Sequence, residues 1–136
     1  MPVIAIQNGN IGLAGKIITV GPFTSQVMPI YDFNFNVSTK IQTTRDIGLI
    51  TGVGDSELPL NLKYIKKRVL DELQYGDIVV TSGENDNYMR DIPIGTISGI
   101  KVLDYDTSLE IDITPIIDFS RLEYLIIVNQ IQENEN

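Results

Sequence analysis

The sequence is divided into short runs rich in Val, Ile and Thr, which are separated by Gly, Pro, Asn and Asp. The runs recur at spacings of about 8 to 12 residues, which is typical of antiparallel β proteins. About ten strands are predicted, namely Val3–Gln7, Leu13–Val20, Gln26–Tyr31, Val37–Thr43, Ile47–Thr51, Leu58–Ile65, Ile78–Thr81, Ile94–Leu103, Ser108–Thr114 and Tyr124–Ile131. The chain is therefore predicted to be all-β.

Turn residues between and within these runs predict local details. Asn8 and Gly9 follow the first run and are a strong signal for a type I′ hairpin turn. Gly99 interrupts a long run, which indicates a bulge or a sharp bend. Lys66–Leu73 and residues 118–123 each favour a short helical turn. Because short antiparallel strands hide their edges by closure or mutual coverage, the chain is predicted to form one or two small barrels.

The charge balance argues against a nucleic-acid partner. The chain of 136 residues has 18 acidic and 10 basic side chains, with a net charge of -8 at pH 7. Nucleic-acid binding depends mainly on Lys and Arg side chains that neutralise phosphates. Residues 63–68 form the basic cluster of the sequence. We interpret this cluster as a solvated rim of the protein surface. The alternative is that it binds an acidic partner or lipid headgroups.

The absence of cysteine and histidine removes most catalytic chemistry from consideration. Disulfides, cysteine nucleophiles, the usual zinc sites and every Ser-His pair need one of these residues. The sequence also has neither a long apolar window nor a signal peptide, so the chain as given is expected to be soluble.

The stretch from Tyr75 to Gly95, "YGDIVVTSGENDNYMRDIPIG", allows three interpretations: a nucleophile site, a phosphate loop or a hairpin. Ser82 has no histidine to act as its base, and nothing identifies a desolvated lysine in that role. We therefore predict no catalytic residue and interpret Thr81, Ser82 and Gly83 as a structural turn. In this turn the two hydroxyls make hydrogen bonds and the glycine adopts a backbone angle that other residues resist.

Two further motifs have features of ligand sites. "NGNIGLAGK" resembles a phosphate loop, but a β-branched strand follows it where such loops lead into a helix. Its glycines are better explained as turn and bulge positions. Asp104, Asp106, Glu110 and Asp112 could bind calcium, but they lack the EF-hand spacing and fit a solvated loop and an outward strand face. No metal or cofactor is predicted.

An ordered set of motifs resembles the rod shape-determining MreC family. "GDIVVTSG" is followed by "IPIGTISGI" and then by "DITPIIDFSRLEYLIIV". Upstream, "NGNIGLAGKIITVGPFTSQVMPIYD" and "VSTKIQTTRDIGLITGVGDSELPLNL" resemble the preceding part of the same family in the same order. No single motif is diagnostic, but together they cover nearly the whole chain.

The resemblance implies a non-catalytic scaffold of the bacterial cell-elongation complex, on the extracytoplasmic face of the cytoplasmic membrane. Its partners would be a class B transpeptidase, which is a penicillin-binding protein, and complex members of the MreB, MreD and RodA type. Self-association is also implied. Such proteins carry an N-terminal membrane helix and a coiled coil ahead of two six-stranded β-barrels similar to those of chymotrypsin-like proteases. This chain contains neither leading element, so membrane anchoring is expected through a segment outside it.

We divide the chain on this basis into a first barrel domain at residues 1–44, a second at 45–131 and a disordered tail at 132–136, with strand exchange across the boundary allowed. A peptidoglycan- or polysaccharide-binding barrel is the alternative function. It would need clustered exposed aromatics, and the chain has no Trp.

The loop at residues 84–92 is the predicted partner contact. Tyr88, Met89 and Arg90 are of the residue types enriched at interfaces. In the alternative interpretation, Tyr88 and Met89 fold back onto their own barrel. The loop also departs from the family, which usually has an aromatic-Pro-basic-Gly segment where this chain has residues 88–91.

Overall fold

The computed structural model of the chain describes residues 2–84, 90–105, 107–121 and 125–127. Within these residues the strands are β1 Pro2–Gln7, β2 Asn10–Val20, β3 Ser25–Pro29, β4 Asn36–Ile41, β5 Ile47–Thr51, β6 Leu60–Lys66, β7 Ile78–Thr81, β8 Pro93–Val102, β9 Ser108–Pro115 and β10 Leu125–Ile127. Two short 3-10 helices, Lys67–Glu72 and Phe119–Arg121, lie where helical turns were predicted. The all-β prediction is confirmed.

Six strands close into an antiparallel barrel in the order β4-β5-β6-β9-β8-β7. In β4, the side chains of Val37, Thr39 and Ile41 are buried, whereas Ser38 and Lys40 between them are half-buried. This is the alternation expected of a strand with one face toward a core. The pairing of β8 with β9 shifts register between Ile97 and Gly99, which confirms the predicted bulge.

The remaining four strands form a sheet in the order β10-β1-β2-β3. Asn8 and Gly9 connect β1 to β2 with φ angles of 51° and 81°, as a type I′ turn requires. Among the described residues, the barrel predicted at residues 1–44 is seen as this sheet and not as a closed six-stranded barrel. β3 and β10 are its two edges.

Two strands pair across the boundary between the predicted ranges 1–44 and 45–131, an exchange that the prediction allowed. β4 belongs to the first range, but it pairs with β5 and β7 inside the barrel. β10 belongs to the second range, but it pairs with β1. Strands therefore cross the predicted boundary in both directions, because the pairing depends on neighbours that are distant along the chain. The tail 132–136 lies outside the described residues.

The sheet and the barrel share one apolar cluster. Leu13 of β2 and Ile30 after β3 are fully buried in the barrel's core cluster. A backbone hydrogen bond joins the segments that follow β3 and β5, since the Gly54 N–H donates to the Tyr31 carbonyl at 2.7 Å. No helix in the described part of the chain has the length and apolarity needed to cross a membrane.

Candidate interaction surfaces

Thr81 closes the base of the loop that follows β7. Its side chain is fully buried, and its Oγ1 accepts a hydrogen bond of 2.9 Å from the Ile92 N–H. The Thr81 N–H donates to the Ile92 carbonyl at 2.9 Å, and the Asp91 N–H donates to the Thr81 carbonyl at 2.8 Å. The two ends of the loop are thus joined at a single residue.

The Ser82 hydroxyl is part of the same structural corner. Its Oγ lies 2.8 Å from the Oγ of Ser38 and accepts a hydrogen bond of 3.2 Å from the Glu84 N–H. The Ser82 side chain is buried. The lysine on the neighbouring strand, Lys40, forms an ion pair of 3.2 Å with Asp91. The geometry therefore gives this serine a connecting role between β4 and the loop.

Gly83 adopts a φ of 76°, the left-handed conformation that the sequence predicts for it. A Cβ atom at this position would lie 2.9 Å from the Cβ of Arg90 and 3.3 Å from its Cα. Side chains rarely adopt this φ, and the opposite side of the loop leaves no space for one. The close approach of residues 83 and 90 therefore requires glycine.

Only part of the predicted contact set can be located. Arg90 is exposed at the return of the loop. Tyr88 and Met89 lie outside the described residues. Contact with a partner through Tyr88, Met89 and Arg90 stays a prediction.

The acidic residues considered as metal ligands are spread over solvated positions. Asp104 is exposed in a turn, Asp112 is exposed on β9, and Asp106 lies outside the described residues. Glu110 is opposite Lys101 in the pairing of β8 with β9. Within the described ranges, no three Asp or Glu side chains are grouped so that they could hold a metal ion.

An uncharged hairpin formed by β2 and β3 is a surface that the sequence reasoning did not single out. No charged residue occurs between Lys16 and Asp32. Phe23, at the hairpin tip, is 95% exposed, and Val20 and Ile18 are 65% and 49% exposed. The sequence signal was present, since residues 17–31 carry no charge in a chain that has 18 acidic and 10 basic residues.

An apolar groove of about 200 Å³ lies beside this hairpin. It is lined by Ala14, Val27, Pro29, Tyr31, Phe119 and Leu125. These residues come from β2, β3, β10 and the segments that follow β3 and β9. The groove therefore adjoins both edges of the four-stranded sheet.

Phe119 lies in the groove next to Asp118, and hydrogen bonds fix the position of Asp118. Its ring packs edge-on against Tyr31 with 5.1 Å between ring centroids. The Gln7 side chain donates to the Asp118 carbonyl at 2.7 Å and accepts from the Asp118 N–H at 2.8 Å. The Asp118 carboxylate accepts hydrogen bonds from the hydroxyl and the N–H of Ser120, and these lower the pKa of Asp118, with a further contribution from Arg121.

Comparisons with known proteins agree on one family. The family model "Rod shape-determining protein MreC, barrel core" matches residues 1–129. The cell shape-determining protein MreC of Bacillus subtilis is 28% identical over 134 residues, which cover 93% of this chain and 46% of that protein. The chain thus spans less than half the length of the curated relatives it matches.

Solved structures show the same fold. The crystal structure of MreC from Pseudomonas aeruginosa superposes with a TM-score of 0.78 at 20% identity, over 94% of this chain and 78% of that chain. A complex between Penicillin-Binding Protein (PBP2) and MreC from Helicobacter pylori contains a chain that matches with a TM-score of 0.62 at 17% identity, over 93% of this chain and 79% of that chain.

Proposed function

The chain belongs to the MreC family of rod shape-determining proteins, and from this premise we propose that it is a non-catalytic scaffold of the bacterial cell-elongation complex. In this role it binds a class B transpeptidase on the extracytoplasmic side of the cytoplasmic membrane. It thereby links peptidoglycan synthesis to the MreB cytoskeleton, together with MreD- and RodA-type members of the complex. It also associates with further copies of itself.

One observation carries the proposal. The MreC of Helicobacter pylori has been solved in complex with a penicillin-binding protein, and a chain of that complex shares this fold. A fold of this kind therefore occurs in a solved complex that contains a penicillin-binding protein.

The surface of the chain supports binding to another protein. Large apolar side chains are exposed at the hairpin tip, where Phe23 and Val20 contact solvent. Exposed aromatic and aliphatic side chains with no charge around them are typical of protein interfaces. In contrast, the serine that could have served as a nucleophile is engaged by Ser38 and Glu84. These features favour a scaffold.

A binding measurement with purified proteins tests the proposal. The chain is titrated against the extracytoplasmic part of a class B transpeptidase, with a soluble protein of equal net charge in place of the chain as control. We expect saturable binding to the transpeptidase alone. A parallel assay measures co-sedimentation of the chain with purified peptidoglycan. Sedimentation with peptidoglycan and no binding to the transpeptidase would support the polysaccharide-binding alternative and contradict the scaffold.

A further inference from the structure

The hairpin of β2 and β3 projects beyond the rest of its sheet. β1 pairs with β2 as far as Lys16, which lies opposite Pro2. From Ile17 to Val20, β3 is the strand that pairs with β2 among the described residues. The described part of the sheet therefore ends in a two-stranded ribbon, residues 17–27, which is joined to the sheet at its base.

Both faces of this ribbon are open to solvent. Every residue from 18 to 20 and from 22 to 27 is exposed. Because successive side chains of a strand point to opposite faces, the exposure of consecutive residues means that neither face of the ribbon is covered. Phe23 at the tip is 95% exposed and so makes little contact with its own chain.

The tip of the ribbon has no charged side chain, and a hydrogen bond closes its turn. The acidic side chains that give the chain its net charge of -8 all lie outside residues 17–31. The Gly21 N–H donates to the Thr24 carbonyl at 2.6 Å, and Pro22 between them has no N–H that needs a partner. Charged side chains and unpaired backbone groups are what make the transfer of a segment into hydrocarbon costly.

These properties favour a lipid bilayer over a protein as the surroundings of the tip. An exposed apolar patch fits either kind of partner. A protein partner typically packs against one face of a surface element, and polar or charged residues surround the contact. A bilayer instead surrounds an inserted segment on all sides and excludes its charges. The ribbon is exposed on both faces and uncharged over its whole length, which matches the bilayer.

We propose that the tip of this ribbon inserts into the outer surface of a phospholipid bilayer, with Val20 and Phe23 among the acyl chains. Interfacial segments are buried about 5–10 Å into the boundary between headgroups and acyl chains. At about 3.3 Å per residue, this depth corresponds to roughly two or three residues of each strand. Lys16 and the apolar groove at the base of the hairpin then stay outside the hydrocarbon.

The inference rests on the location given in the proposed function, at the extracytoplasmic face of the membrane. Two inserted side chains bind a bilayer weakly, as a single short lipid chain does. Their effect becomes large when another segment already holds the protein at the membrane, because the effective concentration of lipid is then high. Insertion of the tip would therefore fix the orientation of the sheet relative to the membrane surface.

Tryptophan fluorescence tests the insertion directly, since the chain has no tryptophan of its own. Phe23→Trp places a reporter at the tip. Tyr105→Trp is the matched control, because Tyr105 is 87% exposed next to Asp104. With phosphatidylcholine vesicles at millimolar lipid, the emission of Phe23→Trp should shift to the blue and be quenched by lipids brominated on their acyl chains. Equal responses of the two variants, or no response of Phe23→Trp, would overturn the inference.

Vesicle flotation measures the same contact without a reporter. Phe23→Asp should lower the partition of the chain into phosphatidylcholine vesicles about tenfold, because it removes an apolar side chain and adds a charge at the tip. Tyr105→Asp should leave the partition unchanged, and thermal melting checks that both variants are folded. Phosphatidylglycerol in the vesicles should not strengthen binding, because the chain carries a net charge of -8. Binding to anionic vesicles alone, unaffected by Phe23→Asp, would refute the inference and assign the contact to the basic cluster at residues 63–68.

Transpeptidase binding, measured on the same variants, separates this inference from the proposed function. We expect Phe23→Asp to bind the transpeptidase as the unsubstituted chain does. Loss of transpeptidase binding in Phe23→Asp, with vesicle binding retained, would overturn the inference and assign the tip to the enzyme. Failure of the unsubstituted chain to bind the transpeptidase would contradict the proposed function, whereas the vesicle measurements would still decide the inference.

Discussion

The hydroxyl oxygens of Ser38 and Ser82 lie 2.8 Å apart, although the two residues are separated by 44 positions in the sequence. Ser38 lies on β4, and Ser82 follows the last residue of β7. The Ser82 N–H also donates to the Ser38 carbonyl at 3.1 Å. The serine in the most suggestive motif of the sequence therefore connects two neighbouring strands of the barrel at the base of a loop.

Replacing Ser82 with Ala should lower the free energy of unfolding by about 1 kcal/mol, because the hydrogen bonds to Ser38 and to the Glu84 N–H are lost. Denaturant unfolding measures the change. Ser38→Ala is the matched variant, and the double variant should cost less than the sum of the two single ones, because they share a bond. Binding to the transpeptidase should be unaltered. A Ser82→Ala variant that folds normally but abolishes cellular function would contradict the structural role.

Replacing Gly83 with Val should destabilise the chain by roughly 1–3 kcal/mol, because a β-branched residue resists positive φ. The clash with Arg90 can be measured separately with Gly83→Ala and Gly9→Ala. Gly9 has a φ of 81°, and a Cβ there would meet no atom within 4 Å. Thermal melting should show the larger loss for Gly83→Ala. Equal losses would mean that backbone strain alone accounts for the effect.

The joint substitution of Tyr88 and Arg90 by Ala distinguishes partner contact from packing. If these side chains contact a partner, stability should be preserved and affinity for the transpeptidase, or for a second copy, should fall by more than about 1 kcal/mol. Calorimetry and thermal melting measure the two quantities. Tyr64 and Arg68, both exposed in the basic cluster at residues 63–68, supply a control pair of the same residue types. Lost stability with preserved affinity would indicate packing against the chain's own barrel.

The ionisation of Asp118 should make the free energy of unfolding of the chain depend on pH in the acidic range. Its pKa is lowered in the folded protein below the ordinary value of an aspartate, chiefly by hydrogen bonds from Ser120. A lowered pKa means that the stabilisation is complete above the unfolded value and is lost as pH falls through the folded value. Asp118→Asn should therefore reduce stability slightly at pH 7 and flatten the decline below pH about 4. Unfolding curves measured across this range for both chains check the prediction, and parallel curves would contradict it.

Local sequence features determined much of the secondary structure of this protein and several of its turns. The spacing of β-branched runs predicted an all-β chain, Asn8 and Gly9 predicted the first hairpin, and Gly99 predicted the bulge in β8. Gly83 was identified as a position that needs positive φ. Each of these features depends on side chains and backbone angles within a few residues of one another, so a short window contains the information.

The tertiary structure alone decided which strands are neighbours. β4 joins β7 and β5, β10 joins β1, and Gln7 reaches Asp118 across 111 positions. Alternation along a strand specifies which of its faces is buried. It does not specify the neighbouring strand, because many strands have a similar pattern. The choice between them depends on packing and register summed over the whole fold. The position of β3 at the edge of the sheet, as seen in the described residues, follows from that choice. The uncharged hairpin was therefore visible in the sequence, whereas its place at the edge of a sheet was not.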